Sequence, residues 1–290
     1  MKFKDALEIL RPINDIMGSL TVIIGILNTR SGISVGVVIF NIILGILTYF
    51  LIAGSGMVIN DVYDVEIDRI NRPERPIPRG SISLIQAKQI FVITLGIGIG
   101  LSIVHSLIFS LGILNIIIAC VFGFIGWLYA AWGKKQGFIG NIIVSISFSI
   151  GLIYGAILNS SAIPIYIYYF FLTSFFLLLA REIIKGCEDI EGDQKEGVKT
   201  LAVTIGIKKA TITSTICQGL AITFFILPIT TAIINPILFL IFMVIGLIIV
   251  GYAFILSIKC KFQKDEFKKI SLLLKIGAFG GLIAFIFASI

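Results

Sequence analysis

Two groups of acidic residues in this chain have the spacing of oxygen ligands on a helix. Asn60, Asp64 and Asp68 follow one another at intervals of four, and Asp189 and Asp193 repeat that interval. Residues four apart share one face of a helix, where like charges repel each other. A cation is therefore expected to compensate the carboxylates of each group.

The chemistry of the two groups favours Mg²⁺. Carboxylate and amide oxygens with no His or Cys nearby are hard ligands, which suit Mg²⁺ better than softer metals. Mg²⁺ usually takes only one or two protein carboxylates and fills its other positions with water and substrate phosphate. The two groups therefore indicate phosphate that is bridged to the protein by metal.

Basic residues near both acidic groups are suited to bind the same phosphate. Arginine offers two parallel donors to phosphate oxygens, and lysine offers a point charge. The prolines of R-P-E-R-P-I-P (72–78) predict an extended loop that holds the arginines over the site. Any single basic residue could instead be an interfacial anchor. The candidates are Arg11, with Asn14 beside it, and Arg72, Arg75, Arg79, Lys134, Lys135, Arg181 and Lys185.

The composition of the chain places these residues in a membrane protein. Hydrophobic residues make up 58% of the 290 residues and charged residues only 13%, with a mean hydropathy of +1.08. Soluble domains have about 45–50% apolar and about 25% charged residues. Long unbroken apolar runs exclude an outer-membrane barrel, and four cysteines without a C-x-x-C pair indicate neither a disulfide framework nor a zinc site.

Apolar segments of about 20 residues predict an all-α polytopic membrane protein with helices bundled around a central cavity. The acidic groups are 125 residues apart with four segments between them, which suggests a parallel repeat of four helices. We expect one domain, 1–290, with halves at about 13–131 and 141–258 and a ninth helix at 270–290. The nine segments are 13–29, 36–60, 84–105, 109–131, 141–158, 163–185, 210–233, 236–258 and 270–290.

The distribution of positive charge predicts the orientation. With the N-terminus in the cytoplasm, 22 of the 23 Lys and Arg residues lie on the cytoplasmic side, and only Arg30 lies outside. This asymmetry predicts a multi-pass protein of the cell membrane with its N-terminus and acidic groups on the cytoplasmic side. The net charge of +7 is explained by this asymmetry, so no nucleic acid is expected as a partner, and no protein partner is implied.

The motifs resemble those of a known family. N-x-x-x-D-x-x-x-D (60–68), N-R-P-x-R-P (71–76) and D-x-x-x-D (189–193) resemble the UbiA superfamily of intramembrane prenyltransferases over essentially the whole chain. R-E-I-I-K-x-x-E-D-I-E-G-D (181–193) and K-x-x-x-x-x-G-N (134–141) are most similar to the archaeal branch that makes ether lipids. One departure is that the usual Y-x-x-x-K appears as Tyr129 with Lys134 one position further on.

The resemblance implies a diphosphate site. One Mg²⁺ would be held by Asn60, Asp64 and Asp68 and another by Asp189 and Asp193. Metal and cations would stabilise the leaving diphosphate of a prenyl donor, and the apolar bundle would keep water away from the allylic cation. The basic residues implied on the diphosphate are Arg72 and Lys134.

The resemblance also implies the reaction. A geranylgeranyl group would pass from geranylgeranyl diphosphate to the hydroxyl of geranylgeranylglyceryl phosphate and form an ether bond. Our hypothesis for the phosphate of this acceptor is Arg11, Asn14 and Lys185, and the motif residues Asn141 and Arg181 are also expected on substrate.

Other functions fit the residues less well. The same diphosphate site could serve an aromatic acceptor, as in the prenylation of quinone or tetrapyrrole precursors. A CDP-alcohol phosphotransferase would need the pattern D-G-x-x-A-R, which is absent. A secondary transporter normally carries its coupling-ion carboxylates near the bilayer midplane, whereas here they lie at segment ends.

Overall fold

A computed structural model of the chain describes residues 3–109, 111–160, 162–195 and 197–290. This part of the chain is helical, with two short 3₁₀ turns at Gly133–Gln136 and Leu227–Thr230. The helices are α1 (Phe3–Ile9), α2 (Pro12–Leu27), α3 (Val35–Tyr63), α4 (Val65–Asn71), α5 (Leu84–Phe109), α6 (Leu114–Ala131), α7 (Phe138–Ile157), α8 (Ile165–Glu188), α9 (Ile190–Lys195), α10 (Leu201–Ile205), α11 (Ile207–Ile226), α12 (Pro236–Ile258) and α13 (Lys264–Phe287).

The all-α polytopic class is confirmed. Within the described residues, eight helices are long and apolar enough to cross a membrane: α3, α5, α6, α7, α8, α11 with its 3₁₀ turn, α12 and α13. The expected first crossing corresponds to α2, which has 16 residues and an apolar part of only Gly18–Leu27. A straight crossing needs about 20 residues, so the count of nine crossings stays a prediction.

The last helix begins earlier than hydropathy indicated. The apolar segment was expected to start at residue 270, but α13 starts at Lys264. A capping box forms there, because Gln263 accepts from the first-turn backbone and the Glu266 carboxylate accepts from the Gln263 N–H at 3.2 Å. Reciprocal capping of this kind stabilises a helix start that contains few apolar residues.

The helices pack into a bundle with a closed circuit of contacts. Helix α2 packs against α7, α7 against α8, α8 against α13, and α13 returns to α2. The α2–α7 contact brings two backbones together, because a Cβ added to Gly155 would lie 2.1 Å from the carbonyl oxygen of Val22. Small residues permit such close approach between membrane helices. On the other side of α2, α3 packs against both α2 and α6.

A network of uncharged polar side chains is buried at the end of the bundle opposite the acidic groups. Asn41 donates to Asn159 Oδ1 at 2.7 Å, and Nε2 of His105 lies 2.9 Å from Asn41 Oδ1. Asn28 donates to the backbone carbonyl of Phe285 at 2.9 Å. Because buried amides are costly unless they are hydrogen-bonded, this network fixes how the helix ends meet. We call it the amide network.

Candidate active site

Both acidic groups lie where a long helix ends and a short one follows. Asp64 separates α3 from α4 with φ −90° and ψ 1°, and Asp189 separates α8 from α9 with φ −98° and ψ 9°. Helical hydrogen bonds continue through each junction, with the N–H of Asp68 bonded to the Asp64 carbonyl at 2.8 Å and that of Asp193 to the Asp189 carbonyl at 3.0 Å. The i, i+4 spacing is therefore kept in both groups. This likeness supports the two predicted halves, 13–131 and 141–258, which stay a prediction.

Asp64 is buried between an amide and an ammonium group. Asn60 Nδ2 donates to Asp64 Oδ2 at 2.8 Å, and Lys134 Nζ donates to the same oxygen at 2.5 Å. Lys134 is presented by the 3₁₀ turn between α6 and α7. Burying a carboxylate requires a partner of opposite charge, and Lys134 supplies it here.

The neighbouring carboxylates are paired with two arginines. Arg75 lies 2.5 Å from Asp68 Oδ2 and 3.2 Å from Asp61 Oδ1. Arg11 pairs with Asp61 as well. All the carboxylates in this network are buried. Its position three residues before Asp64 predicts that Asp61 shares the helical face of these oxygen ligands, but sequence analysis assigned it no role of its own.

The residues of the first group fit Mg²⁺. Asn60 Oδ1 is buried and has no hydrogen-bond partner among the described residues, while the Nδ2 of the same amide points to Asp64. A free amide oxygen beside a carboxylate is a hard donor set. In the described ranges, no three Asp, Glu, His or Cys side chains are placed to hold one metal ion together, and Mg²⁺ takes only one or two protein carboxylates.

The loop after α4 is not extended, so that expectation was wrong. Its backbone turns back on itself, with the N–H of Arg75 bonded to the Arg72 carbonyl at 3.1 Å and that of Arg79 to the Arg75 carbonyl at 3.0 Å. Ile77 and Ile82 are buried and hold the loop against the bundle. Proline fixes only φ, which turns also accept. As a result Arg75 reaches the carboxylates, whereas Arg72 is exposed.

The end of this loop is fixed to the first helix by ion pairs. Arg79 lies 2.6 Å from Asp5 Oδ1 and 2.8 Å from Glu8 Oε1, both on α1. The hydrogen bonds with Glu8, followed by that with Asp5, raise the pKa of the Arg79 guanidinium above its usual value. Arg79 therefore stays charged and serves as a link between α1 and the loop.

A central cavity of about 560 Å³ lies between α2, α3, α6, α7, α8 and α13. Most of its wall is apolar. Along α3 its lining runs from Thr48 to Asn60, a length of about 18 Å at 1.5 Å per residue. Asn60 belongs both to this cavity and to the first acidic group, so the carboxylates adjoin one end of the cavity. The charged residues of the lining, together with Asn60 and Tyr129, are Arg11, Asp15, Arg181, Glu182 and Lys275.

Some of the residues predicted to bind the acceptor line the cavity, and others do not. Arg11 and Arg181 line it. Lys185 and Asn141 are not part of the lining, and Lys185 is exposed. The side chain of Asn14 lies outside the described residues.

Two lining residues, Asp15 and Lys275, were given no role by sequence analysis. Asp15 is 2% exposed, and its Oδ2 has no hydrogen-bond partner in the described part of the chain. Glu182 lies 2.5 Å from Arg181, and Lys275 enters the cavity from α13. An acidic residue within an apolar segment was a signal for Asp15. Lys275 had been counted only as part of the basic cytoplasmic side.

The second acidic group lines a separate, smaller depression. Asp189 and Asp193 border it together with Glu188, Glu191, Lys195 and Lys264. Lys264 is the first residue of α13, so the depression lies between the α8–α9 junction and the start of that helix. The structure thus places the two predicted metal-binding groups at different cavities.

A known protein family and several curated relatives match this chain over most of its length. Residues 19–278 match the UbiA prenyltransferase family. The digeranylgeranylglyceryl phosphate synthase of Saccharolobus solfataricus is 38% identical over 100% of this chain and 98% of its own length. The enzyme of the same name from Methanocaldococcus jannaschii is 36% identical over 100% of this chain and 97% of its own length.

Solved structures have the same fold. One, described as giving insights into digeranylgeranylglyceryl phosphate synthase in membranes, is 34% identical with a TM-score of 0.85, and the match covers 99% of this chain and 98% of that one. A UbiA homologue from Archaeoglobus fulgidus bound to GPP and Mg²⁺ has a TM-score of 0.72 at 18% identity, with 97% and 99% of the two chains covered, and shows the fold alone. The family resemblance is confirmed: this chain belongs to the UbiA prenyltransferase family.

Proposed function

We propose that this protein transfers a geranylgeranyl group from geranylgeranyl diphosphate to the hydroxyl of geranylgeranylglyceryl phosphate, with Mg²⁺ as cofactor. The observation that carries the proposal is the position of Asn60, which joins a carboxylate group to the mouth of an apolar cavity. Such a site suits a substrate with a charged head and a hydrocarbon tail. The full-length similarity to synthases of that name supports this choice of donor and acceptor.

The proposed reaction exchanges one C–O bond for another. The bond between C1 of the prenyl chain and the diphosphate oxygen breaks, and the electron pair leaves with the diphosphate. The acceptor hydroxyl oxygen then bonds to C1, and its proton is lost to the departing diphosphate. Bound Mg²⁺ would supply stabilisation of the charge that develops on the leaving diphosphate.

The chain's own residues would bind, orient and shield the reactants. The proposed metal ligands are Asn60, Asp64 and Asp68 in the first group and Asp189 and Asp193 in the second. Lys134, whose Nζ lies 2.5 Å from Asp64 Oδ2, would donate to a diphosphate oxygen near that carboxylate, and Arg72 would be a further donor.

The wall of the cavity would protect the reactive carbon. Ile52, Phe122, Phe148 and Leu282 belong to the cavity lining and offer no nucleophile. An allylic cation formed there would be captured by the acceptor hydroxyl because water is excluded. The lipid bilayer would deliver both substrates, and the basic residues on one side support a cytoplasmic active site.

A transfer assay tests the proposal. Purified protein in detergent, given Mg²⁺, labelled geranylgeranyl diphosphate and geranylgeranylglyceryl phosphate, is expected to move the label to the glyceryl phosphate. EDTA is expected to abolish the transfer, and excess Mg²⁺ to restore it. If 4-hydroxybenzoate is offered in parallel, label on this compound and none on the glyceryl phosphate would show that the proposed acceptor is wrong. Release of diphosphate without transfer to either compound would also contradict the proposal.

A further inference from the structure

We infer that Lys275, together with Arg181, binds the phosphate of the lipid acceptor and so selects a phosphorylated acceptor. This inference rests on the proposed function and deepens it. It replaces Lys185, the lysine expected from the sequence, with a lysine that lines the cavity.

Lys275 lies on the face of α13 that lines the cavity. Lys275, Ala278, Phe279 and Leu282 line the cavity from α13, and their spacing of i, i+3, i+4 and i+7 is that of a single helical face. The other three residues of this face are apolar. Lys275 is therefore the charged member of an otherwise apolar face directed at the substrate space.

The depth of Lys275 sets it apart from ordinary anchoring lysines. It lies six residues beyond Lys269, the last of the charged residues at the start of α13, which is about 9 Å further along the helix axis. A charge within a membrane-spanning segment is costly, and such residues usually face a cavity and mark a ligand or ion.

The charges around the cavity leave Lys275 available for an anion. Arg11 is paired with Asp61, and Arg181 lies 2.5 Å from Glu182. Lys275 makes no ion pair or hydrogen bond with any residue that the structure describes. Arg181 adds a second donor, because its Nε is buried without a hydrogen-bond partner among the same residues. Arg181 lies on α8, which packs directly against α13.

The helices that carry Lys275 and Arg181 differ from those that carry the first acidic group. Asn60 and Asp64 are carried by α3 and its end, and Lys134 by the turn after α6. Helix α13 packs against α2, α8 and α12. The proposed reaction has two anionic substrates, a diphosphate and a phosphate monoester. Two sets of cations carried by different helices can hold the two substrates apart and orient them.

Steady-state kinetics with both substrates test the inference. In Lys275→Met the KM for geranylgeranylglyceryl phosphate is expected to rise roughly 10- to 100-fold, because a charge-assisted hydrogen bond is lost. The KM for geranylgeranyl diphosphate is expected to stay within about two-fold, since Lys275 shares no hydrogen bond or ion pair with the described residues of the first acidic group. Lys275→Arg keeps the charge and is expected to recover most of the acceptor affinity.

Lys268→Met is the matched control. Lys268 lies two turns earlier on the same helix and is exposed like Lys275, but it does not line the cavity. Its substitution removes the same charge and is expected to change both KM values by less than about two-fold.

An acceptor without phosphate separates recognition from structure. With geranylgeranylglycerol, kcat/KM is expected to be the same for the wild type and Lys275→Met. An unchanged KM of Lys275→Met for the phosphorylated acceptor would overturn the inference. An equal rise in the KM values for the diphosphate donor and the phosphorylated acceptor would also overturn it, and so would an equal loss of kcat/KM with the phosphorylated and unphosphorylated acceptors. Failure of the wild type to transfer label to either glyceryl acceptor would instead contradict the proposed function.

Discussion

Asp64→Asn is expected to lower the rate of prenyl transfer by about 1,000-fold, the loss seen when a site loses a main stabiliser of transition-state charge. Asp64 accepts hydrogen bonds from Asn60 at 2.8 Å and Lys134 at 2.5 Å. Asparagine preserves the size of the side chain but removes the charge that a metal ion would require. The fold should persist, because the backbone junction at this position does not depend on the carboxylate.

Glu66→Gln is the control for that experiment. Glu66 lies two residues further on, its side chain is 75% exposed, and its partner is the exposed Arg69 at 3.0 Å. An exposed pair contributes little, so the rate should stay within about two-fold of wild type. Initial rates measured across a Mg²⁺ titration check both variants. A rate for Asp64→Asn within ten-fold of wild type at saturating Mg²⁺ would show that Asp64 is not a metal ligand.

Gly155→Ala is expected to destabilise the protein by about 3 kcal/mol, the upper range for overpacking. The added Cβ would lie 2.1 Å from the carbonyl oxygen of Val22 on α2. That neighbour is backbone, so it cannot move aside as a flexible side chain would. Thermal unfolding in detergent should show the midpoint lowered by about 5–10 °C, together with a loss of activity because α2 and α7 both line the cavity.

Gly96→Ala is the matched substitution in an open position. Gly96 lies within helix α5, and a Cβ added to it meets no atom within 4 Å. Alanine favours helix over glycine by about 0.5–1 kcal/mol, so the unfolding midpoint should stay the same or rise slightly. Equal losses in the two variants would mean that the α2–α7 contact is not specially close.

Hydropathy predicted a helix at each apolar segment because a helix that crosses lipid needs an apolar run, whatever its tertiary contacts are. It could not find helical parts made of charged residues, such as the start of α13 at Lys264. The i, i+4 spacing around Asp64 and Asp189 was likewise readable from the sequence. Helical hydrogen bonds are local, and they persist through both junctions.

The partners of the charged residues were harder to predict. The family resemblance implied Arg72 on the diphosphate, yet the turns of the loop direct Arg75 to Asp61 and Asp68. Lys185 and Lys275 could not be ranked from sequence spacing. Which face of α13 meets the cavity depends on how α13 packs against α8 and α2, and this is a tertiary property.

The amide network has a consequence for the energised membrane in which such a protein works. The cavity lining ends at Thr48 on α3 and at Tyr154 on α7, short of Asn41 and Asn159 in the network. This far end is packed with buried polar side chains that are hydrogen-bonded to one another and to the backbone, and the lining of the cavity stops before it. A cavity that ends inside the bundle offers room for a charged lipid head group without itself forming a continuous path for ions across the membrane.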